Sequence, residues 1–230
     1  MNSVRTTLYA AGIALGLLAS SPHASAQQDY KPTKENLQAR EAFRDKGFGI
    51  FLHWGLYSTF AQGEWYMTNA NIDHAEYAKA AAGFYPSRFD AAAWVSAIKA
   101  SGAGYLTITS RHHDSFSMWD TKQSDYNIVK ASPFRRDILA ELRDECRNQG
   151  LGFHIYYSIL DWHREDYYPI GRTGRGTGRK SHGSWDTYDA FMNAQLAELV
   201  RDYGAEAIWL DGEWDQDENP GFDWRYDKMY

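Results

Sequence analysis

The chain has 230 residues, a formal net charge of −6 and one cysteine. That length is enough for a domain with a buried core, and the negative charge disfavours a nucleic-acid surface, because phosphate contacts need an excess of Lys and Arg. A single cysteine excludes a disulfide framework and any cysteine-based zinc site.

Residues 1–26 have the pattern of a secretory signal peptide. Arg5 supplies the positive n-region, residues 8–19 are apolar, and a small-x-small cleavage site ends at Ala26. The apolar run is shorter than the roughly 20 residues that span a bilayer, so a retained anchor is the less favoured alternative. We expect cleavage, export to the periplasm or beyond, and a mature domain over residues 27–230.

The mature chain alternates strand and helix patterns. Short apolar runs bounded by glycine predict buried parallel strands at 49–53, 105–109, 151–157 and 205–210. Amphipathic patterns predict helices at 73–82, 90–101, 133–149 and 185–203. Asp73 (in a capping box with Glu76), Ser132 and Ser184 are the predicted N-caps. This alternation predicts an α/β fold with a parallel sheet.

A polar residue follows or ends each predicted strand. These residues are His53, the pair His112 and His113, Tyr157 and Asp211. Both a (β/α)8 barrel and a doubly wound sheet place their sites at the C-terminal ends of strands, so this pattern does not choose between them. No Gly-x-Gly-x-x-Gly follows a strand, which counts against a dinucleotide site.

Asp211 is the first candidate for chemistry. Alternation along the strand puts Trp209 and Asp211 on the same side. A carboxylate beside an indole at the end of a barrel strand is compatible with a glycosidase nucleophile. The dipeptide Asp211-Gly212 also fits a turn or a helix N-cap, so both interpretations stay open.

Histidines form the second candidate group. His112, His113 and Asp114 follow the second strand, and with His53 they could bind a metal. Their spacing matches no zinc signature such as His-Glu-x-x-His. Hydrogen bonding to sugar hydroxyls is the favoured interpretation, because a neutral imidazole offers one donor and one acceptor.

Glu64 and Trp65 follow the first strand. A carboxylate among aromatic rings can have a raised pKa and act as a general acid, and an exposed loop glutamate is the alternative. Aromatic residues make up 16% of the chain, which fits either a sugar-binding cleft or a large aromatic core.

Two loops and the cysteine complete the pattern. The Gly- and Arg-rich segment 171–183 predicts a flexible surface loop, with a cationic lid over the site as the alternative. The acidic segment 213–218 predicts a solvated loop rather than a calcium site. Cys146 lies on a helix face and is predicted to be buried and inert.

Five motifs in chain order resemble the α-L-fucosidases of glycoside hydrolase family 29. They are FGIFLHWG at 48–55, GEWY at 63–66, RHHD at 111–114, YYS at 156–158 and WLDG at 209–212. The resemblance implies a (β/α)8-like (TIM) barrel, of which about the first four βα units are present. It also implies an exported retaining enzyme that releases α-linked L-fucose from fucosylated glycans.

The resemblance assigns roles to single residues. Asp211 becomes the nucleophile, and Glu64 the candidate general acid or a pocket carboxylate. The residues implied to bind fucose are His53, Trp65, His112, His113, Tyr157 (or its neighbour Tyr156) and Trp209. No cofactor, metal, nucleic acid or membrane partner is implied after signal cleavage, and a homo-oligomer is compatible with the pattern.

The chain also departs from the family. Four strands are predicted where a barrel needs eight, and the family's acid/base carboxylate normally comes from a later segment. We therefore expect this chain to be the N-terminal part of the catalytic barrel, with the acid/base residue beyond residue 230. The alternative is a non-catalytic, fucose-binding fragment that lacks this residue.

Overall fold

The computed structural model describes residues 31–229. The predicted signal peptide lies outside the described residues. The chain divides into two compact units between Glu41 and Ala42. Helix α1 (Lys34–Asp45) begins in the first unit, where the hydroxyl of Thr33 accepts a 3.1 Å hydrogen bond from the backbone N–H of Asn36. The sequence patterns had not predicted this helix.

Four parallel strands form one sheet in the order β1-β2-β3-β4. They are β1 (Gly49–Leu52), β2 (Tyr105–Arg111), β3 (Gly152–Ser158) and β4 (Ala207–Asp211). Each strand pairs in parallel with the next along the chain, which confirms the predicted α/β class. Over residues 31–229 the strand order does not reverse, as it would in a doubly wound sheet.

Six further helices connect or follow the strands. They are α2 (Tyr66–Asn69), α3 (His74–Ala78), α4 (Ala91–Ala100), α5 (Ile138–Gln149), α6 (Trp185–Arg201) and α7 (Tyr226–Met229), with 3₁₀ turns at Leu56–Phe60, Lys79–Gly83 and Glu213–Gln216. In the described part of the chain, none of the helices has both the length and the apolar character to cross a membrane.

Local capping explains which predicted helix starts are correct. The carboxylate of Asp73 accepts hydrogen bonds from the first turn of α3, and the hydroxyl of Ser184 does the same for α6. Helix α5 begins later than predicted, because Ser132 does not cap it. The Ser132 hydroxyl instead donates to the carbonyl of Ile128 at 2.5 Å, and Asp137 accepts from the first turn of α5.

The two faces of the sheet differ in what covers them. Alternate strand residues such as Leu106, Ile108 and Ile155 are fully buried in one core with residues of helices α4 and α5. Cys146 of α5 belongs to this core, as predicted, and burial raises the pKa of its thiol to about 12. The opposite face carries rings that remain accessible, among them Trp209, which is 60% exposed.

Candidate active site

A carboxylate and a phenol meet at the C-terminal ends of β3 and β4. Asp211, the last residue of β4, keeps 31% of its side chain accessible. Its Oδ2 accepts a 2.5 Å hydrogen bond from the hydroxyl of Tyr156. Burial, and the bond to Asp211, raise the pKa of the Tyr156 phenol. The phenol therefore stays protonated and donates to the carboxylate at neutral pH.

Three imidazoles lie beside this pair. The ring centroids of His112 and His113 are 4.0 Å apart, and the ring of His53 lies 5.0 Å from that of His112. Burial lowers the pKa of His113 to about 3, that of His112 well below 6.5, and that of His53 as well. All three rings are therefore neutral at pH 7, and each can offer one donor and one acceptor.

The carboxylates of Glu64 and Asp211 both act on His53. Their negative charges oppose the effect of burial and raise the pKa of this imidazole, Glu64 more than Asp211. The hydroxyl of Tyr57 lies 2.8 Å from Nδ1 of His53 and holds this ring in place. The loop after β1 thus brings a second carboxylate to the same group of side chains as the end of β4.

Three indole rings lie beside these imidazoles and form an aromatic side of the candidate site. Trp65 stacks on Trp214 with centroids 5.4 Å apart and planes 20° from parallel, and it meets Trp162 edge-on at 5.4 Å. The ring of His113 lies 5.8 Å from Trp65 and 4.9 Å from Trp162. Flat apolar rings beside imidazoles and a carboxylate suit a ligand that carries both C–H faces and hydroxyls.

A buried ion pair supports the strand ends from behind. Nη1 of Arg111 donates to Oδ2 of Asp161 at 3.0 Å, and neither side chain is accessible. The same guanidinium donates to the backbone carbonyl of Ser158 at 2.7 Å and to the hydroxyl of Tyr188 at 2.6 Å. Because these donors are nearly all satisfied inside the core, the loops that carry the site are held at defined positions.

The glycine- and arginine-rich segment 171–183 contains exposed residues, as expected of a surface loop, and its first residues are anchored to a buried carboxylate. The backbone N–H and hydroxyl of Thr173 donate to Oδ1 of Asp215 at 2.8 and 2.6 Å, and the hydroxyl of Tyr167 donates to its Oδ2 at 2.7 Å. A side chain at Gly171 would collide with the same carboxylate. Asp215 is fully buried, so the prediction of a solvated acidic loop is wrong at this residue.

One group of side chains among residues 31–229 has the composition of a metal site. Ligand atoms of His112, His113 and Asp211 all lie within 4.8 Å of one another. Two imidazoles and a carboxylate match a catalytic zinc site in kind. Oδ2 of Asp211 also accepts a hydrogen bond from Tyr156, whereas the buried Nδ1 of His112 has no hydrogen-bond partner among residues 31–229.

Comparison with known proteins identifies the family. The family model described as Alpha-L-fucosidase matches residues 17–230. The chain belongs to the α-L-fucosidase family. The match begins inside the segment predicted as a signal peptide and extends over the whole sheet.

Curated and solved fucosidases match the chain over part of their length. An α-L-fucosidase of Dictyostelium discoideum is 32% identical over 215 residues, which cover 82% of this chain and 45% of that protein. The structure of α-L-fucosidase isoenzyme 1 from Paenibacillus thiaminolyticus superposes with a TM-score of 0.73 at 34% identity, over 78% of this chain and 44% of that one. The chain thus spans about half the length of these relatives.

A third relative is informative about chemistry. This relative is a family 29 α-L-fucosidase from Bacteroides thetaiotaomicron, which superposes with a TM-score of 0.68 at 31% identity. The match covers 77% of this chain and 42% of the Bacteroides chain. Its structure is described as a covalent intermediate trapped with 2-fluoro-fucosyl fluoride in a glutamate-to-glutamine variant.

The structure brings most of the fucosidase-like residues together, but it moves one prediction. Tyr157 is fully buried, and its hydroxyl donates to Oε1 of Gln195 at 2.8 Å. Successive residues of a strand face opposite sides, so Tyr156, the alternative, meets Asp211 while Tyr157 points into the core. Trp209 lies on the side of Asp211 and packs edge-on against Phe51 at 5.7 Å.

Two residues of the site were missed by sequence reasoning. Trp214 stacks on Trp65, and Trp162 lies against His113. The only local signal for Trp214 was its position three residues after Asp211, in the 3₁₀ turn at Glu213–Gln216. Trp162 had no comparable local signal.

Proposed function

We propose that this chain is the N-terminal part of the (β/α)8 catalytic barrel of a retaining α-L-fucosidase, with Asp211 as the nucleophile. The observation that carries the proposal is the position of Asp211 at the C-terminal end of β4, bonded to Tyr156 and beside neutral imidazoles. The four parallel strands in chain order and the family match support the barrel.

In the proposed mechanism, an oxygen of Asp211 attacks the anomeric carbon of the α-L-fucoside. The bond to the aglycone oxygen breaks, and that oxygen takes a proton from a carboxylic acid. Water then attacks the anomeric carbon of the fucosyl ester and gives a proton to the carboxylate that had protonated the aglycone. The bond between the anomeric carbon and Asp211 breaks, which releases L-fucose and restores the Asp211 carboxylate. The covalent intermediate reported for the Bacteroides relative supports this two-step route.

The proposed binding pocket divides its tasks between rings. The imidazoles of His53, His112 and His113 bond fucose hydroxyls, and the indoles of Trp65 and Trp214 cover the C6 methyl and C–H surface. Positive charge develops on the sugar in the transition state. Neutral histidines beside a carboxylate suit that charge, whereas imidazolium ions would oppose it.

The general acid is either Glu64 or a carboxylate beyond residue 230. Glu64 is supported by its electrostatic effect on His53, which it shares with Asp211. If Glu64 is the acid, Glu64→Gln should slow fucosides with poor leaving groups far more than activated aryl fucosides. Equal losses on both would assign Glu64 to the pocket wall and place the acid elsewhere.

The deciding experiment is hydrolysis of an aryl α-L-fucoside with an activated leaving group. Such a substrate needs a nucleophile but little help from an acid. Turnover by the chain that disappears in Asp211→Asn, and survives in the exposed control Asp202→Asn, is the expected result. A folded chain that binds L-fucose and never turns over would instead favour a non-catalytic fucose-binding fragment.

Export is part of the proposal. In this proposal residues 1–26 are a cleaved signal peptide. The substrates are fucosylated glycans outside the cytoplasm. The check is N-terminal sequencing of the chain released to the periplasm or medium, where Gln27 should be the first residue. A chain that keeps residues 1–26 and pellets with membranes would contradict this assignment.

A further inference from the structure

The hydroxyl of Ser158 lies between the ring of His113 and the backbone of Leu160. Oγ is 2.7 Å from Nδ1 of His113 and 2.6 Å from the carbonyl oxygen of Leu160. Ser158 is the last residue of β3 and is completely buried, so both contacts are made inside the protein.

The two contacts of the Ser158 hydroxyl determine which of them receives its proton. A carbonyl oxygen only accepts, and two oxygens 2.6 Å apart repel each other unless a proton lies between them. Ser158 therefore donates to Leu160. Its oxygen can then only accept from His113, so Nδ1 of His113 carries a proton.

The second ring nitrogen of His113 faces the site. Because the ring is buried and neutral, a proton on Nδ1 leaves Nε2 with a free lone pair. Nε2 lies 3.7 Å from Oδ2 of Asp211, which is beyond hydrogen-bond range. This distance is consistent with Nε2 and Oδ2 both being hydrogen-bond acceptors, which cannot bond each other.

We propose that Ser158 is a positioning residue that holds His113 as its Nδ1–H tautomer, so that Nε2 accepts a hydrogen bond from a fucose hydroxyl. The opposite tautomer would point its Nε2–H toward Oδ2 of Asp211, 3.7 Å away, and this N–H dipole would stabilise the carboxylate and make it a weaker nucleophile. The identity of the ligand rests on the proposed function, whereas the tautomer rests on the contacts of Ser158 and the burial of the His113 ring.

The surroundings keep Ser158 in place. Its own carbonyl accepts from Nη2 of Arg111 at 2.7 Å, and the carbonyl of His113 accepts from the backbone N–H of Trp162 at 2.7 Å. Both ends of the Ser158–His113 bond are therefore tied to separate parts of the backbone. This restricts rotation of the ring and of the hydroxyl.

The tautomer also predicts a specificity. The fucose position that meets Nε2 must carry a hydrogen-bond donor, because Nε2 can only accept. Among monodeoxy and monofluoro fucosides, one position should lose binding with both substitutions, since fluorine replaces the size of the hydroxyl but not its proton.

The test is the ¹⁵N spectrum of the full chain with labelled histidine, assigned by comparison with His113→Gln. In the unmodified chain Nδ1 of His113 should have the shift of a protonated nitrogen and Nε2 that of an unprotonated one. Ser158→Ala should move the proton toward Nε2, and Ser158→Thr, which keeps the hydroxyl, should restore the original pattern. A wild-type His113 protonated on Nε2 would overturn the proposal, even if no Ser158 variant folds.

The control is Ser117→Ala, which removes another completely buried hydroxyl, one that accepts from Gln195 at 3.2 Å. It should leave the spectrum of His113 unchanged. On an activated aryl fucoside, Ser158→Ala should lower kcat/KM about tenfold relative to Ser117→Ala. Equal activities would refute the positioning role, and absence of turnover in every chain would refute the proposed function while the spectra still decide the tautomer.

Discussion

The hydroxyl of Tyr156 donates a 2.5 Å hydrogen bond to Oδ2 of Asp211, whereas the hydroxyl of Tyr157, the next residue, donates to Gln195 on the other side of the sheet. Two neighbouring tyrosines thus have separate tasks. One phenol contacts the proposed nucleophile, and the other satisfies an amide in the core. This difference provides a matched pair of variants.

We expect Tyr156→Phe to lower kcat/KM on an activated aryl fucoside by roughly 10- to 100-fold, because a hydrogen bond to a charged group contributes about 1.5–3 kcal/mol. Tyr157→Phe should leave kcat/KM unchanged and lower the free energy of unfolding by about 1–3 kcal/mol, since the buried Gln195 loses its donor. Steady-state kinetics and urea unfolding measure the two effects. Equal kinetic losses in both variants would argue against a role for Tyr156 at Asp211.

The buried imidazole of His113 makes stability depend on pH. Burial lowers its pKa to about 3 in the folded chain, against about 6.5 when unfolded. Between these values the unfolded chain binds the extra proton, so the free energy of unfolding falls as pH drops from about 6.5 toward about 3, by up to about 1.4 kcal/mol per pH unit.

His113→Gln should remove this part of the acid sensitivity. The measurement is the free energy of unfolding in urea at several pH values, for the unmodified chain and the variant. His182→Gln, at a histidine whose side chain is 69% accessible, controls for the loss of an exposed imidazole. The same slope in the unmodified chain and in His113→Gln would contradict a depressed pKa at this position.

Asp114 should act in the opposite direction. Burial raises the pKa of its carboxyl to about 7, although the N–H of Phe116 and the hydroxyl of Tyr77 both donate to it. The folded chain then binds the extra proton between about pH 4 and about pH 7, and stability from the neutral carboxyl is lost as pH rises through about 7.

Asp114→Asn keeps an acceptor oxygen without the charge. Its free energy of unfolding should therefore rise relative to that of the unmodified chain between about pH 4 and about pH 7. Chemical denaturation across this range measures the difference. A constant difference would show that Asp114 is ionised throughout the range.

Trp214 should contribute to ligand binding through its stack on Trp65. We expect Trp214→Ala to weaken L-fucose binding about tenfold, because loss of one aromatic contact and its buried area costs about 1.5 kcal/mol. Titration calorimetry measures the affinity. Trp94→Ala is the control, since Trp94 is a partly buried indole that packs on Phe89 and Trp54. Unchanged affinity in Trp214→Ala would remove this ring from the pocket.

Much of the scaffold could be predicted because its signals are local. Glycines and apolar runs located all four strands, and the side chains of Asp73 and Ser184 located the starts of α3 and α6. The start of α5 could not be read in this way. Ser132 fits an N-cap by type, but its hydroxyl bonds backward to Ile128, and only the folded chain decides between two acceptable partners.

The sequence by itself determined the α/β class, the motifs at the strand ends and the family, because periodicity and motif order are properties of the chain. Tertiary structure decided which tyrosine meets Asp211, why Asp215 is buried under the 171–183 segment, and which tautomer His113 adopts. Each of these depends on a partner distant in the sequence. A hydrogen bond forms only where folding brings donor and acceptor within about 3 Å, and residue type alone does not set that distance.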